Sequence, residues 1–108
     1  MNRVIKKNTL SFSCSKSMKY LRTPVDIWES LSQEFDFTID LCSSDKNHLL
    51  DRYYTIDDNC LIKDWNNEIG YCHPLFDSKI GKFVEKASLS KGLFVFLLPA
   101  STHTKYFH

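Results

Sequence analysis

Leu93-Phe94-Val95-Phe96-Leu97-Leu98, followed by Pro99, is the longest apolar run in this 108-residue chain, and its reading decides the fold. Six residues are far short of the roughly 20 that a membrane span needs, and the run has strand length. A strand with one wet face alternates apolar and polar residues. This one does not alternate, so both its faces must be covered, as in a parallel sheet flanked by helices. Gly92 closes the connection before the run, and Pro99, which has no backbone N–H to offer a sheet, stops it.

The segments upstream fit the same architecture. Asp77 to Ala87 is the clearest amphipathic helix, with Ile80, Phe83, Val84 and Ala87 at i, i+3, i+4 and i+7. Ile69 to Cys72 is a short strand before it, and Phe37 to Leu41 is a strand by alternation. Between them, Ser43-Ser44-Asp45 is expected to cap a short helical turn through Leu50. Tyr53 to Thr55 is a brief extended piece, Asp57-Asp58-Asn59 a turn, and Leu61 to Trp65 leads into a loop. Thr23-Pro24 opens a helix to about Glu34, with Thr as a competent N-cap and Pro at the first helical position. The order helix, strand, strand, helix, strand predicts an α/β layered fold with a mostly parallel sheet. In such sheets ligands bind beyond the carboxyl ends of the strands, which gathers Asp40, the 73–76 loop and Pro99-Ala100-Ser101.

The net charge of +1 hides an asymmetry. Residues 1–22 carry six bases and no acid, residues 23–78 twelve acids and three bases, and the remainder five bases and one acid. We expect a basic N-terminal arm over 1–22, tucking Leu10 and Phe12 against a domain over 23–108. Such an arm suits a nucleic-acid backbone, although charge alone favours a solvated terminus. Residues 1–12 lack the apolar run of a signal peptide, and no stretch spans a membrane. The four cysteines, at 14, 42, 60 and 72, are most simply reduced thiols of a cytoplasmic protein. No C-x-x-C pair supports a zinc site from Cys42, Cys60, Cys72 and His73, and no metal is expected.

Several segments, in order, carry a family resemblance. They are Thr23-Pro24; Phe37-Thr38-Ile39-Asp40-Leu41-Cys42; Asn47; Tyr53-Tyr54-Thr55 with Asp57 through Trp65; Gly70 through Ala87; and Leu97-Leu98-Pro99-Ala100-Ser101-Thr102-His103-Thr104-Lys105-Tyr106-Phe107-His108. Together they resemble the phage-type DNA N-6-adenine methyltransferases, which use S-adenosylmethionine. The resemblance runs from about Thr23 to His108. It implies a partial Rossmann-like methyltransferase sheet, DNA as partner, a setting of the restriction-modification kind, and the cytoplasm of a host cell as location. The family domain continues with further strands beyond the segment matching 97–108. We therefore expect the 93–98 strand near an uncovered edge, with a second chain completing the sheet as one solution.

The resemblance also implies the site. His73-Pro74-Leu75-Phe76 falls where the family has its catalytic Asn/Asp-Pro-Pro-Tyr/Phe loop. There the side-chain acceptor and the first Pro carbonyl take hydrogen bonds from the exocyclic adenine amine, and the aromatic ring stacks on a flipped-out base. Pro74 and Phe76 keep the carbonyl and the ring. His73 substitutes an imidazole for an amide or carboxylate, and Leu75 removes the stiffness of the second proline. Losing one such acceptor costs about 10²–10³-fold in rate, so reduced or absent transfer is expected. The alternative is a non-catalytic remnant that binds nucleic acid or serves as a partner subunit. By resemblance Thr23, Pro24 and Asp40 line the S-adenosylmethionine pocket, Asp40 accepting from the methionyl amino group, and Asp64 and Trp65 bracket the adenosine. On the residues alone, Thr23-Pro24 is an ordinary helix start, Asp40 caps the following turn, Trp65 plugs the core, and His73 is a surface-loop imidazole.

Overall fold

A computed structural model describes residues 3–6, 8–13, 23, 25–55, 58–73 and 77–98. Strands β1 (Arg3–Lys6) and β2 (Thr9–Ser13) form a hairpin. Helix α1 (Val25–Glu34) follows, then β3 (Ile39–Ser43), β4 (Tyr53–Thr55), a 3-10 turn at Cys60–Ile62, β5 (Glu68–Cys72), helix α2 (Asp77–Leu89) and β6 (Gly92–Leu98). The strands make one sheet in the order β1-β2-β6-β5-β3-β4. Five of them run parallel, and only β1, on the outside of β2, is antiparallel. This is the parallel α/β sheet with helices on both faces that the apolar 93–98 run requires, and it agrees with the partial Rossmann-like sheet that the resemblance implies.

The two helices cover opposite faces. The crossover from β2 through α1 to β3 runs across the sheet in one direction, and that from β5 through α2 to β6 returns in the other. Crossovers of the same hand that run in opposite directions put their helices on opposite sides. Strand alternation sorts the side chains accordingly. Phe94, Phe96 and Leu98 of β6 join Ile39, Leu41 and Cys72 beneath Ile80, Phe83, Val84 and Ala87 of α2. Val95 and Leu97 face the other way and join Leu10, Phe12, Tyr71 and Leu31 of α1. Phe94 to Leu98 have no exposed surface.

Three expectations need correction. The first concerns residues 1–22. Leu10 and Phe12 do tuck against the body, but as part of β2, which pairs with β6 from Thr9↔Phe94 to Ser13↔Leu98. Within the expected arm, residues 3–6 and 9–13 therefore belong to the sheet. Asn8 fastens the hairpin: its side-chain amide donates to the Ala87 and Ser90 carbonyls at the end of α2, at 3.0 and 2.7 Å, and its carbonyl accepts from Phe94 N–H at 2.9 Å. The second concerns β6, which is interior, paired with β2 on one side and β5 on the other. The reason for invoking a second chain at that strand is thereby removed. The third concerns the helical turn expected from Ser43 through Leu50: Ser43 still belongs to β3, and residues 44–50 run as a bent loop rather than a helical turn. Ser44 and Asn47 bond reciprocally through their backbones, and Leu49 N–H goes to the Asp40 carboxylate instead of a helical carbonyl.

The strand boundaries shift by small amounts. β3 begins two residues later than its alternation suggests, because Phe37 stacks on Trp28 at 5.3 Å while Thr38 bonds across to β5. Thr38 Oγ1 also donates to Glu68, whose carboxylate takes two bonds from the Arg52 guanidinium at 2.6 and 2.8 Å. At the start of β6, Gly92 adopts φ +146° directly opposite Glu68. A Cβ there would run into the Glu68 carbonyl oxygen, which the ladder holds in place. Gly92→Ala is expected to cost about 2 kcal/mol or more, from strain and overpacking together. Urea denaturation measures this directly, and an unchanged midpoint would contradict the close approach.

Candidate functional site

Strands β3 and β5 are neighbours, yet the chain leaves them in opposite directions: outward to β4 from the one, back through α2 to β6 from the other. A crevice opens beyond the carboxyl ends of strands at such a reversal. A cavity of about 260 Å³ lies there. Asp40 and Cys42 of β3 line it, with Tyr71 and His73 from the end of β5, Thr23 and Val25 from the start of α1, and the 46–49 loop. Asp40 and Tyr71 sit side by side in the β3–β5 register. The structure thus brings Thr23, Asp40 and His73 together, three residues that lie 17 and 33 positions apart.

Asp40 is only 3% exposed. Its Oδ1 accepts from Cys42 N–H at 3.4 Å and its Oδ2 from Leu49 N–H at 3.1 Å. Burial raises its pKa to about 6, against the opposing pull of the Leu49 and Cys42 bonds and of nearby His48. Above that pH it is a buried carboxylate with no salt-bridge partner among the described residues, although Lys46 and His48 line the same cavity. Such a group stands to gain from a cation, because burial penalises the charged form and an adjacent opposite charge relieves the penalty.

His73 is not a surface imidazole: it is 6% exposed, and the corresponding expectation is corrected. Its Nδ1 lies 3.2 Å from Thr23 Oγ1, which in turn lies 2.6 Å from the Tyr71 hydroxyl. Thr23, expected as a helix cap, therefore turns its hydroxyl into this network. Burial lowers the His73 pKa and keeps the ring neutral near pH 7, so one of its nitrogens carries a lone pair. Tyr71 itself is held edge-on by Trp28 and Phe37, at 5.1 and 5.5 Å. Sequence reading did not single out Tyr71 or His48 as site residues. Only the β3–β5 pairing puts Tyr71 beside Asp40, and only the bend at 44–49 brings His48 to the cavity.

Asp64 and Trp65 do not join this cavity. Trp65 is 1% exposed on the α2 face of the sheet, against Phe83 and Phe94 at 6.1 and 5.7 Å, and donates to the Cys60 carbonyl at 2.8 Å. Asp64 accepts from Asn66 N–H at the turn before β5, and both residues border a separate depression beside α2. The position of Trp65 fits its reading as a core plug. Pro24, Pro74, Leu75, Phe76 and residues 99–108 lie outside the described residues. Cys72 is a buried thiol, and burial pushes its pKa well up. Among the described residues no three metal-ligating side chains converge, and no helix is long and apolar enough to cross a membrane.

The family model described as DNA N-6-adenine-methyltransferase (Dam) matches residues 13–108 of this chain. The match spans β3, the cavity, residues 73–76, α2 and β6, together with residues 97–108. Comparison with individual curated proteins and with solved structures finds no match.

Burial of Asp40 carries a pH signature of definite sign. A carboxyl whose pKa is higher folded than unfolded makes the native state the better proton binder between about pH 4 and pH 6. Stability therefore falls as pH rises through that window, by an amount on the order of 3 kcal/mol, and the cost persists above it. Asp40→Asn should lose this component, so the variant gains on the wild type from pH 4 to pH 7 in thermal melts. A constant difference between the two across that range would rule out the buried carboxyl as its source.

Proposed function

We propose, from the premise that this chain belongs to the DNA N-6-adenine-methyltransferase (Dam) family, that the cavity between Asp40 and His73 is its methyl-transfer site, working on adenine in DNA at a reduced rate. The observation that carries this reading is the convergence of a buried carboxylate, without an ion-pair partner among the described residues, and a buried, neutral imidazole at the reversal point of a parallel sheet. These two residues also fall at the positions where the family resemblance puts cofactor binding and catalysis.

The residues present suit S-adenosylmethionine. Asp40 offers a desolvated carboxylate to its amino group, and its two backbone bonds still leave lone pairs to accept with. Thr23 and Val25 provide a small wall at the start of α1, with Pro24 between them in sequence. Bound S-adenosylmethionine would supply an electrophilic methyl group on a sulfonium. The cavity is below the roughly 300–1,000 Å³ usual for small-molecule sites, so the described residues enclose part of such a ligand. Asp64 and Trp65 are the weakest members of the proposed cofactor set, since they border the other face.

For the base, His73 stands in place of the amide or carboxylate acceptor. Its neutral ring accepts one hydrogen bond from the exocyclic amine, drawing the nitrogen lone pair out of conjugation. Pro74 contributes a carbonyl, Phe76 a stacking ring, and Leu75 a less rigid backbone than proline. Each task is one of positioning and charge stabilisation. A single acceptor on a ring in place of an amide oxygen underlies the reduced rate. The same substitutions favour a second reading, a non-catalytic chain that keeps cofactor or nucleic-acid binding, and the two differ only in turnover.

Calorimetry with S-adenosylmethionine and a labelled-methyl assay on adenine-containing DNA test both. We expect binding at millimolar cofactor or below. Affinity should weaken below about pH 6, by up to about tenfold per pH unit as Asp40 takes up a proton. Absence of binding at millimolar cofactor would sink the proposal. Transfer should be slow in the native chain and rise about 10²-fold or more in the His73→Asn, Leu75→Pro double variant. A native rate of zero with recovery in that variant selects the non-catalytic reading.

A further inference from the structure

His73 approaches Thr23 through Nδ1, and its Nε2 has no hydrogen-bond partner among the described residues, although the ring is buried in the cavity wall. A neutral imidazole carries its hydrogen on one nitrogen and a lone pair on the other. If the Thr23 hydroxyl donates to Nδ1, Nε2 bears the hydrogen and is a donor. If Nδ1–H donates to Thr23, Nε2 is an acceptor. The spacing favours the second case. N–H···O bonds extend to about 3.2 Å, whereas bonds donated by a hydroxyl are shorter, with a mode near 2.7–2.8 Å for O–H···O. The 3.2 Å from Nδ1 to Thr23 Oγ1 fits the ring N–H as donor, and the 2.6 Å from Thr23 to Tyr71 fits a hydroxyl–hydroxyl bond. Thr23 Oγ1 has two lone pairs, so it accepts from Nδ1–H whichever way its bond to Tyr71 runs.

We infer that Thr23 and Tyr71 are positioning residues that hold His73 in its Nδ1–H tautomer, leaving the Nε2 lone pair as the acceptor this site offers to an exocyclic amino group. The naming of an amine as ligand rests on the proposed function, while the tautomer rests on the geometry alone. The support extends back into the fold. Trp28 of α1 and Phe37 fix the Tyr71 ring edge-on, Tyr71 fixes the Thr23 hydroxyl, and Thr23 fixes the imidazole. An unbraced imidazole would populate both tautomers and present a donor part of the time, repelling an amine hydrogen. With the brace, His73 imitates the acceptor oxygen of the asparagine or aspartate that the family resemblance places here.

Long-range proton–nitrogen NMR of protein labelled with 15N-histidine reads the tautomer, and comparison with His73→Asn assigns the signals. The expected result near pH 7.5 is a protonated Nδ1 and an unprotonated Nε2 in the native chain. Thr23→Val should shift the ring toward Nε2–H, and Thr23→Ser should restore the native pattern. Native His73 protonated on Nε2, or a pattern unchanged in Thr23→Val, would overturn the inference. Should Thr23→Val fail to fold, the native spectrum still decides, and Tyr71→Phe, which frees the Thr23 hydroxyl to donate to Nδ1, should raise the Nε2–H share; a Tyr71→Phe spectrum identical to the native one would overturn the role of Tyr71 in the brace. Adding millimolar adenosine separates the two claims: movement of the Nε2 signal supports the amine as ligand. A locked Nδ1–H tautomer whose Nε2 ignores adenosine keeps the brace and rejects the amine.

Discussion

Strand β6 has no solvent-facing side, and most of the structure follows from that constraint. Its inner residues bury side chains toward both helices, and its backbone is paired on both edges. A continuous apolar strand can exist in water only if every exposed direction is closed, two by side-chain packing and two by hydrogen bonds. Helix α2 closes one face, α1 the other, β5 one edge and β2 the second. The hairpin β1–β2 therefore completes the environment of the central strand, and Asn8 secures it with three hydrogen bonds to α2 and β6.

The same topology makes the site. With β6 central, the chain must leave β5 toward it, while β3 is left on the other side to pair with β4. The connections diverge, and the gap between the carboxyl ends of β3 and β5 is filled by side chains rather than by backbone. Asp40 and Tyr71, adjacent in the ladder, form its floor, and His73, one residue past the end of β5, forms part of its wall. Packing and chemistry meet at Tyr71, whose ring belongs to the α1-side core and whose hydroxyl belongs to the site.

Burial sets the electrostatics of the cavity in opposite directions for its two key groups. It pushes the Asp40 carboxyl up and the His73 imidazole down, because in each case the charged form loses more by leaving water. The outcome is a carboxylate that favours a cationic partner and an imidazole that stays neutral and can accept. Both properties suit transfer of a methyl group from a cationic donor to a neutral amine. In the proposed function, a neutral His73 in place of an amide changes the reach and number of acceptor atoms but not the charge at the site, whereas in place of a carboxylate it also removes a negative charge.

Much of this was legible in the sequence, for local reasons. The unbroken apolar run at 93–98 and the i, i+3, i+4, i+7 stripe of α2 report which faces must be buried, and burial is a property that single segments encode. Asp40 and His73 were recognised because ordered motif segments flanked them. What the sequence did not contain was the pairing order. Leu10 and Phe12, two apolar residues among serines and bases, become a strand only because β6 has an open edge for them. Trp65, which the resemblance placed at the adenosine, is carried by the turn before β5 to the opposite face. Thr23 reads locally as a cap, and its hydroxyl faces Tyr71 and His73 only once residues nearly 50 positions away are folded over it. Periodicity fixes which side of an element is buried, whereas the partner on that side is chosen by strand order, and strand order is a property of the whole sheet.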